Sequence, residues 1–258
     1  MSNAIAGPHV ELMGVRFDAM TLEEVVLAVD QLMASNGLAQ VVTANLDYMA
    51  KVRRDPELAR VVGRADLVVS DGVPLLWMAR WSGQHLPGRV NGTDLVVRLL
   101  QRASASGWQV AFLGGEPGVA ERAATQAAAQ WSTPVGGAWP LTPEEVADPA
   151  SSREVAMQVG ALRRSLVLVG LGAGRQDGWI DAHRELLGDG VAIGVGSALD
   201  FVAGTRRRAP RFFQRAGLEW LWRLALEPGR LWHRYLVEDT AILARFAMST
   251  VRSRLGHR

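Results

Sequence analysis

ADLVVSDGVPLLWMARWSGQHLPGRVNGTDL, residues 65–95, is the stretch on which the reading of the chain turns. Leu67-Val68-Val69 is a short, apolar, β-branched run of the kind that forms a buried strand. It stops at Asp71-Gly72, where glycine permits a sharp turn. A helical pattern of Leu75, Leu76, Met78 and Ala79 follows, with Pro74 suited to its first turn. Strand, tight corner and helix are the repeating unit of a parallel α/β sheet, and in such sheets ligands bind beyond the carboxyl ends of the strands. An acid at that corner would face the ligand crevice. The competing reading of Asp71 is a plain helix cap.

The same unit recurs on both sides. Upstream, 10–17 reads as a strand or hairpin arm, and Thr21 with Glu24 forms a capping-box pattern that opens a helix. Residues 40–45, QVVTAN, form a strand ending in Thr43 and Asn45, which either bond a ligand or cap the helix expected over 46–52. Asp55-Pro56 opens another helix. Downstream, 86–94 is a polar loop, with Thr93 or Asp94 expected to cap a helix over 95–105. Arg89 lies among its glycines and proline, suited to a forked contact with phosphate or carboxylate; its alternative is an ordinary surface arginine.

A strand over 108–113 runs into Gly114-Gly115, ahead of a helix over 119–131. Free amides and a helix N-terminus there could receive a diphosphate, although the spacing is neither the dinucleotide fingerprint nor the Walker loop. Residues 133–149 read as loop and 151–164 as helix. Strands over 165–169 and 191–195 again end in glycine-rich corners, and Gln176, after the first of these, is placed to read a base or a sugar hydroxyl. The fold class predicted is α/β, with a Rossmann-like, doubly wound, mostly parallel sheet.

The composition, 48% apolar and 21% charged over 258 residues, is that of a globular protein with a full core. Without cysteine there are no disulfides and no thiolate metal sites, which fits a cytosolic protein. Neither a signal peptide nor a spanning helix is expected. No Asp-x-Asp pair or histidine cluster stands at the corners, so no metal is expected either. The net charge of +2 conceals a division: twelve arginines against four acids after residue 203 give +8, and sixteen bases against twenty-two acids before it give −6. Residues 1–203 are therefore read as the core. Residues 204–258 are read as a basic, Trp-, Leu- and Arg-rich helical appendage that meets a polyanion or an anionic membrane.

Taken together, TAN at 43–45, DPELARVVGRADLVVSDG at 55–72, LPGRVNGTDL at 86–95, FLGGEPGVAERAA at 112–124, VGLGAGRQDGWI at 169–180 and GVGSALDFVAGTRRRAPRFFQRAGLEWLWRL at 194–224 resemble the WecG/TagA/CpsF glycosyltransferases of bacterial cell-surface polysaccharide assembly. The resemblance covers nearly the whole chain after Val10, with the motifs in order. It implies inverting, metal-independent transfer of a sugar from a UDP-sugar to a polyprenyl-diphosphate-linked acceptor, without cofactor, by a cytoplasmic protein lying peripherally on the inner face of the plasma membrane. Self-association through the core is implied as well.

Carried over residue by residue, the resemblance makes Asp71 the general base, with Thr43 beside it. It places Asn45, Arg89, Gly92, Asp94 and Gln176 in the substrate pocket and gives the nucleotide to the Gly114-Gly115 turn. Arg223 and Arg230 are assigned to diphosphate, and Arg206, Arg207 and Arg208 to the membrane. Ala44 and Gly174 stand where the family has proline, and Gly229 and His233 where arginine is common. Two other classes bear on the same features. A nucleotide-dependent oxidoreductase would use this sheet, but no G-x-G-x-x-G follows the first strand. A nucleic-acid-binding protein would use the basic tail, yet Leu218, Leu221, Leu224, Leu226 and Leu231 read first as a packed or membrane-surface helix, so no nucleic-acid partner is expected.

Overall fold

The computed structural model describes residues 7–215 and 217–255, without the side chains of Arg215, Arg230, Arg234, Ser249 and 251–255. Its strands are β1 (His9–Leu12), β2 (Val15–Asp18), β3 (Leu38–Ala44), β4 (Leu67–Ser70), β5 (Gln109–Gly114), β6 (Val135–Trp139), β7 (Arg164–Gly170) and β8 (Asp189–Gly194). β1 and β2 pair as an antiparallel hairpin. The other six form one sheet in the order β4-β3-β8-β7-β5-β6, with every pairing parallel. From β3 the chain steps out to edge strand β4, crosses the sheet to β5 and the opposite edge strand β6, and comes back inward through β7 to β8 beside β3, a doubly wound, Rossmann-like arrangement as expected.

The alternation of side chains along the strands divides the core. Val41, Leu67, Val69, Phe112, Leu166, Leu168, Val191 and Ile193 face the helices Leu22–Ala34, Gly92–Ser106 and Val119–Trp131. Val42, Ala44 and Val68 pack with the hairpin and the helices Leu46–Arg54, Pro56–Arg64 and Val73–Trp81. On the same side Val167, Val169 and Ala192 meet Ala156, Trp179 and Ile180. Because all six strands run parallel, the corners at their carboxyl ends gather along one edge.

Two sequence expectations are corrected. Residues 133–149 are not all loop: they contain edge strand β6 and the short helix Pro143–Ala147. β6 is glycine-bearing and half-exposed, so it lacks the unbroken apolar run by which the inner strands are recognised. The helix after the 86–91 loop begins at Gly92, and its cap is Asn91, whose Oδ1 accepts from Thr93 N at 3.0 Å and Asp94 N at 3.3 Å.

Beyond residue 203 the chain is helical: Arg211–Arg215, Glu219–Leu226, Pro228–Trp232, a π-helical turn at His233–Asp239, and Thr240–Leu255. It folds back on the sheet's helices. Ile242 is buried in the cluster that holds Leu75 and Met78, and a side chain on Gly217 would stand 2.8 Å from Val73 Cγ2. Among the described residues, no helix is long and apolar enough to cross a membrane.

Candidate active site

A cavity of about 870 Å³ opens over the carboxyl edge of the sheet. Thr43, Asn45, Asp71, Gly115 and Gln176 line it from the core, and Arg206, Arg207, Arg223 and Tyr235 from beyond residue 203.

Asp71 is held at the end of β4 by its own N–H, which donates to Ala44 O at 2.8 Å and carries the strand pairing one residue past β4. Gly72, with φ of +149°, is the N-cap of the helix Val73–Trp81 and no side chain caps it, so the plain-cap reading of Asp71 is set aside. The 86–91 loop is stitched to the same strand end: Val90 N donates to Ser70 O at 2.8 Å and Ser70 Oγ to Gly88 O at 3.2 Å. This brings the first turn of the helix Gly92–Ser106 against Asp71, and the Gly92 N–H donates to its carboxylate. A Cβ on Gly92 would lie 3.5 Å from Asp71 Oδ2 and 3.9 Å from Thr43 Oγ1, so Asp71 and Thr43 flank one small space. Thr43 Oγ1 itself donates to Gly194 O on β8, at 2.9 Å.

Burial pushes the Asp71 carboxyl above its ordinary value. The charges of Arg223 and Arg89 and the Gly92 amide pull it back, and Glu219 adds to the rise. A half-buried carboxylate so poised can take a proton from a hydroxyl as that hydroxyl reacts.

The arginines are organised by a residue that sequence reasoning did not single out. Glu219 is only 4% exposed. Its carboxylate lies 3.4 Å from Arg223, 3.8 Å from Arg89 and 4.0 Å from Arg208, and accepts from Asn91 Nδ2 at 3.3 Å. An acid beside two tryptophans in an arginine-rich tail carries no local signal of that position.

The remaining predicted residues divide. Asn45 faces the cavity while its Oδ1 caps the next helix through Tyr48 N. Gly115, at φ of +88°, would place a Cβ 2.7 Å from Val119, so only glycine fits that corner, and Gly114 packs on Gly170 and Leu171 behind it. Gln176 is buried at the cavity floor and accepts from Gly196 N at 3.1 Å. Asp94 pairs with Arg208 at 2.6 Å instead of lining the cavity. Arg206 meets Asp200 and Glu227, and Arg207 is exposed, so the three consecutive arginines do three different things. The side chain of Arg230 lies outside the described residues. Tyr48 and Asp177, also missed, are buried beside Gln176.

The profile of the glycosyl transferase WecG/TagA/CpsF family matches residues 10–256. The chain is also similar to an N-acetylglucosaminyldiphosphoundecaprenol N-acetyl-beta-D-mannosaminyltransferase of Bacillus spizizenii, with 32% identity over 203 residues, covering 77% of this chain and 75% of that protein.

Proposed function

The chain belongs to the WecG/TagA/CpsF family and is a glycosyltransferase, and from that premise we propose that it moves a sugar of the N-acetylmannosamine or hexose type from a UDP-sugar to a polyprenyl-diphosphate-linked N-acetylglucosamine. The observation that carries this reading is Asp71, set beside Thr43 at the open end of β4 and facing Arg223 across one cavity. In the proposed step the acceptor hydroxyl attacks the anomeric carbon and its proton passes to Asp71. The bond from that carbon to the diphosphate oxygen breaks, and UDP leaves with the bonding electrons. A single displacement inverts the anomeric centre. Arg223, and Arg206 or Arg207 at the rim, would meet the charge that develops on the departing diphosphate, where a fixed cation is most effective.

Metal independence is part of the proposal. Among the described residues no group of three His, Asp or Glu gathers that could hold a metal ion, and the arginines supply positive charge at the cavity wall. We also propose that the face formed after residue 203 rests on the inner leaflet, where a lipid-linked acceptor would be found; exposed Phe212, Trp232 and Leu236 support this. The test is incubation with UDP-N-acetylmannosamine and a short-chain prenyl-diphosphate N-acetylglucosamine in EDTA, with the product identified by mass spectrometry. Transfer is expected. Failure with this donor and with a panel of UDP-hexoses would overturn the donor class, and a strict need for magnesium or manganese would overturn the metal-free step.

A further inference from the structure

Asn91 stands at the junction between the core and the helices beyond residue 203, 6% exposed and on the wall of the cavity. Its Oδ1 caps the helix Gly92–Ser106, accepting from Thr93 N at 3.0 Å and Asp94 N at 3.3 Å, and Arg208 Nη2 approaches the same oxygen at 3.5 Å. Its Nδ2 donates to Glu219 Oε2 at 3.3 Å, across 128 positions of chain. A side-chain amide has a donor end and an acceptor end of nearly the same shape, and here the two backbone N–H groups decide which end is which. With the oxygen committed to the cap, the nitrogen is committed to Glu219.

Four side chains surround the Glu219 carboxylate, but only two come within hydrogen-bond distance, and each has its own oxygen. Asn91 takes Oε2, and Arg223 Nη2 donates to Oε1 at 3.4 Å. Arg89 and Arg208 stand farther off, at 3.8 and 4.0 Å. Arg89 Nη2 donates instead to Gln214 O, at 3.4 Å. The Asn91 amide therefore sets how the carboxylate is turned, and turned this way it offers Oε1 to Arg223. The Arg223 guanidinium also lies over the Phe201 ring, 5.2 Å from its centre, and both residues line the cavity.

We propose that Asn91 is a positioning residue: through Glu219 it fixes the direction of the Arg223 guanidinium, and so ties the first turn of the helix Gly92–Ser106 to the cation that meets the departing diphosphate. This rests on the reading that Arg223 stabilises the charge developing on UDP as it leaves. The competing role is that of a helix cap alone. Asparagine, aspartate and serine are nearly equal in that role, so a cap needs no side-chain nitrogen and no contact with an acid from another part of the chain. The nitrogen and its bond to Glu219 are what the cap leaves unexplained.

The two roles separate in variants that keep the cap. Asn91→Ser retains a capping oxygen and removes the amide nitrogen. Asn91→Asp retains the shape as well, but turns an acceptor toward Glu219, carboxylate against carboxylate. The experiment is steady-state transfer by the full chain for both variants, for Arg223→Gln, and for Asn91→Ser combined with Arg223→Gln, with rates expressed per UDP-binding site. Asn91→Ser should lower kcat by roughly tenfold, the scale of one hydrogen bond to a charged group, with a smaller change in donor KM. Asn91→Asp should lower it further. In the Arg223→Gln background Asn91→Ser should add nothing, because the cation it aims is gone, whereas a mere loss of folded protein would multiply. If Asn91→Asp does not fold, Asn91→Ser still decides. Parental kcat in Asn91→Ser would reduce Asn91 to a cap, and effects of Asn91→Ser and Arg223→Gln that multiply would mean that it acts by another route; either result overturns the positioning role alone. Parental kcat in Arg223→Gln would instead remove Arg223 from the departing diphosphate and overturn the reading beneath it.

Discussion

Glu219 Oε2 stands 3.8 Å from Arg89 Nη1, a buried acid from beyond residue 203 meeting an arginine from the loop that supports Asp71. With Arg223, Arg208 and Asn91 on the same carboxylate, this contact ties the C-terminal helices to the carboxyl edge of the sheet. Removing one member of a buried charge network leaves the others uncompensated, at a cost of about 3–5 kcal/mol. Glu219→Gln should therefore lower the melting temperature and expose the Arg206–Arg208 segment to trypsin at least tenfold faster. Cleavage at the parental rate would show that the helices are held by their apolar contacts alone.

Asp71→Asn keeps the shape of the corner and the strand pairing made by its backbone. Loss of a general base costs about two to four orders of magnitude in turnover. UDP affinity should hardly change, because the diphosphate contacts proposed here are arginines. Parental turnover in this variant would remove Asp71 from the proton transfer.

Arg223 is the largest influence lowering the Asp71 pKa against burial. Arg223→Gln should let that pKa rise further. Asp71 acts only when ionised, so the acid limb of the kcat/KM profile should move to higher pH, and turnover should fall at every pH as the departing UDP loses a cation. An acid limb that stays in place would mean that Asp71 does not control it.

Gly92 lies in the first turn of its helix, and a methyl group there would make only ordinary contacts with Asp71 and Thr43. Alanine is a better helix former than glycine by roughly 1 kcal/mol in a helix interior, so Gly92→Ala should fold with no loss of melting temperature. The methyl nevertheless enters the space between the two side chains where the acceptor hydroxyl is proposed to sit. Activity should drop while stability holds, and unchanged kcat/KM would place the hydroxyl elsewhere.

Where burial repeats at short range, the sequence was legible. The inner strands carry short apolar runs, most of their corners hold glycine, and Thr21 with Glu24 forms the capping box expected, so most of the sheet and the Asp71 corner could be read directly. β6, with its two glycines, has no such pattern. Glu219 and Asp177 were illegible for a different reason. Their partners lie far away in the chain: Arg89 is 130 positions from Glu219, and Gln40, whose amide donates to the Asp177 carbonyl, is 137 from Asp177. Local spacing cannot report a pairing made by the fold. The charge division after residue 203 was visible as a count, but which of Arg206, Arg207 and Arg208 faces outward depends on Asp94, Asp200 and Glu227, and only the folded chain brings these acids alongside.

That inequality shapes the membrane prediction. Removing everything after residue 203 would uncover the cluster that Ile242 closes, so loss of vesicle binding by such a fragment could not be separated from loss of fold. Point variants avoid this. Trp232 is 50% exposed and Leu236 is 54% exposed, so replacing both by serine removes apolar surface that faces solvent. Binding to anionic vesicles should weaken at least tenfold, with at most a small fall in melting temperature and with transfer to a water-soluble acceptor retained. Arg207 is exposed, and a cation near an anionic surface contributes about 1 kcal/mol, so Arg207→Gln should weaken binding roughly fivefold and flatten its salt dependence. Arg208 is engaged by Asp94 at 2.6 Å. Arg208→Gln should leave vesicle binding nearly intact and instead speed trypsin cleavage, as Glu219→Gln does. Equal loss of vesicle binding in Arg207→Gln and Arg208→Gln would mean that the ion pairs seen here open at the membrane, and the division of labour among the three arginines would have to be abandoned.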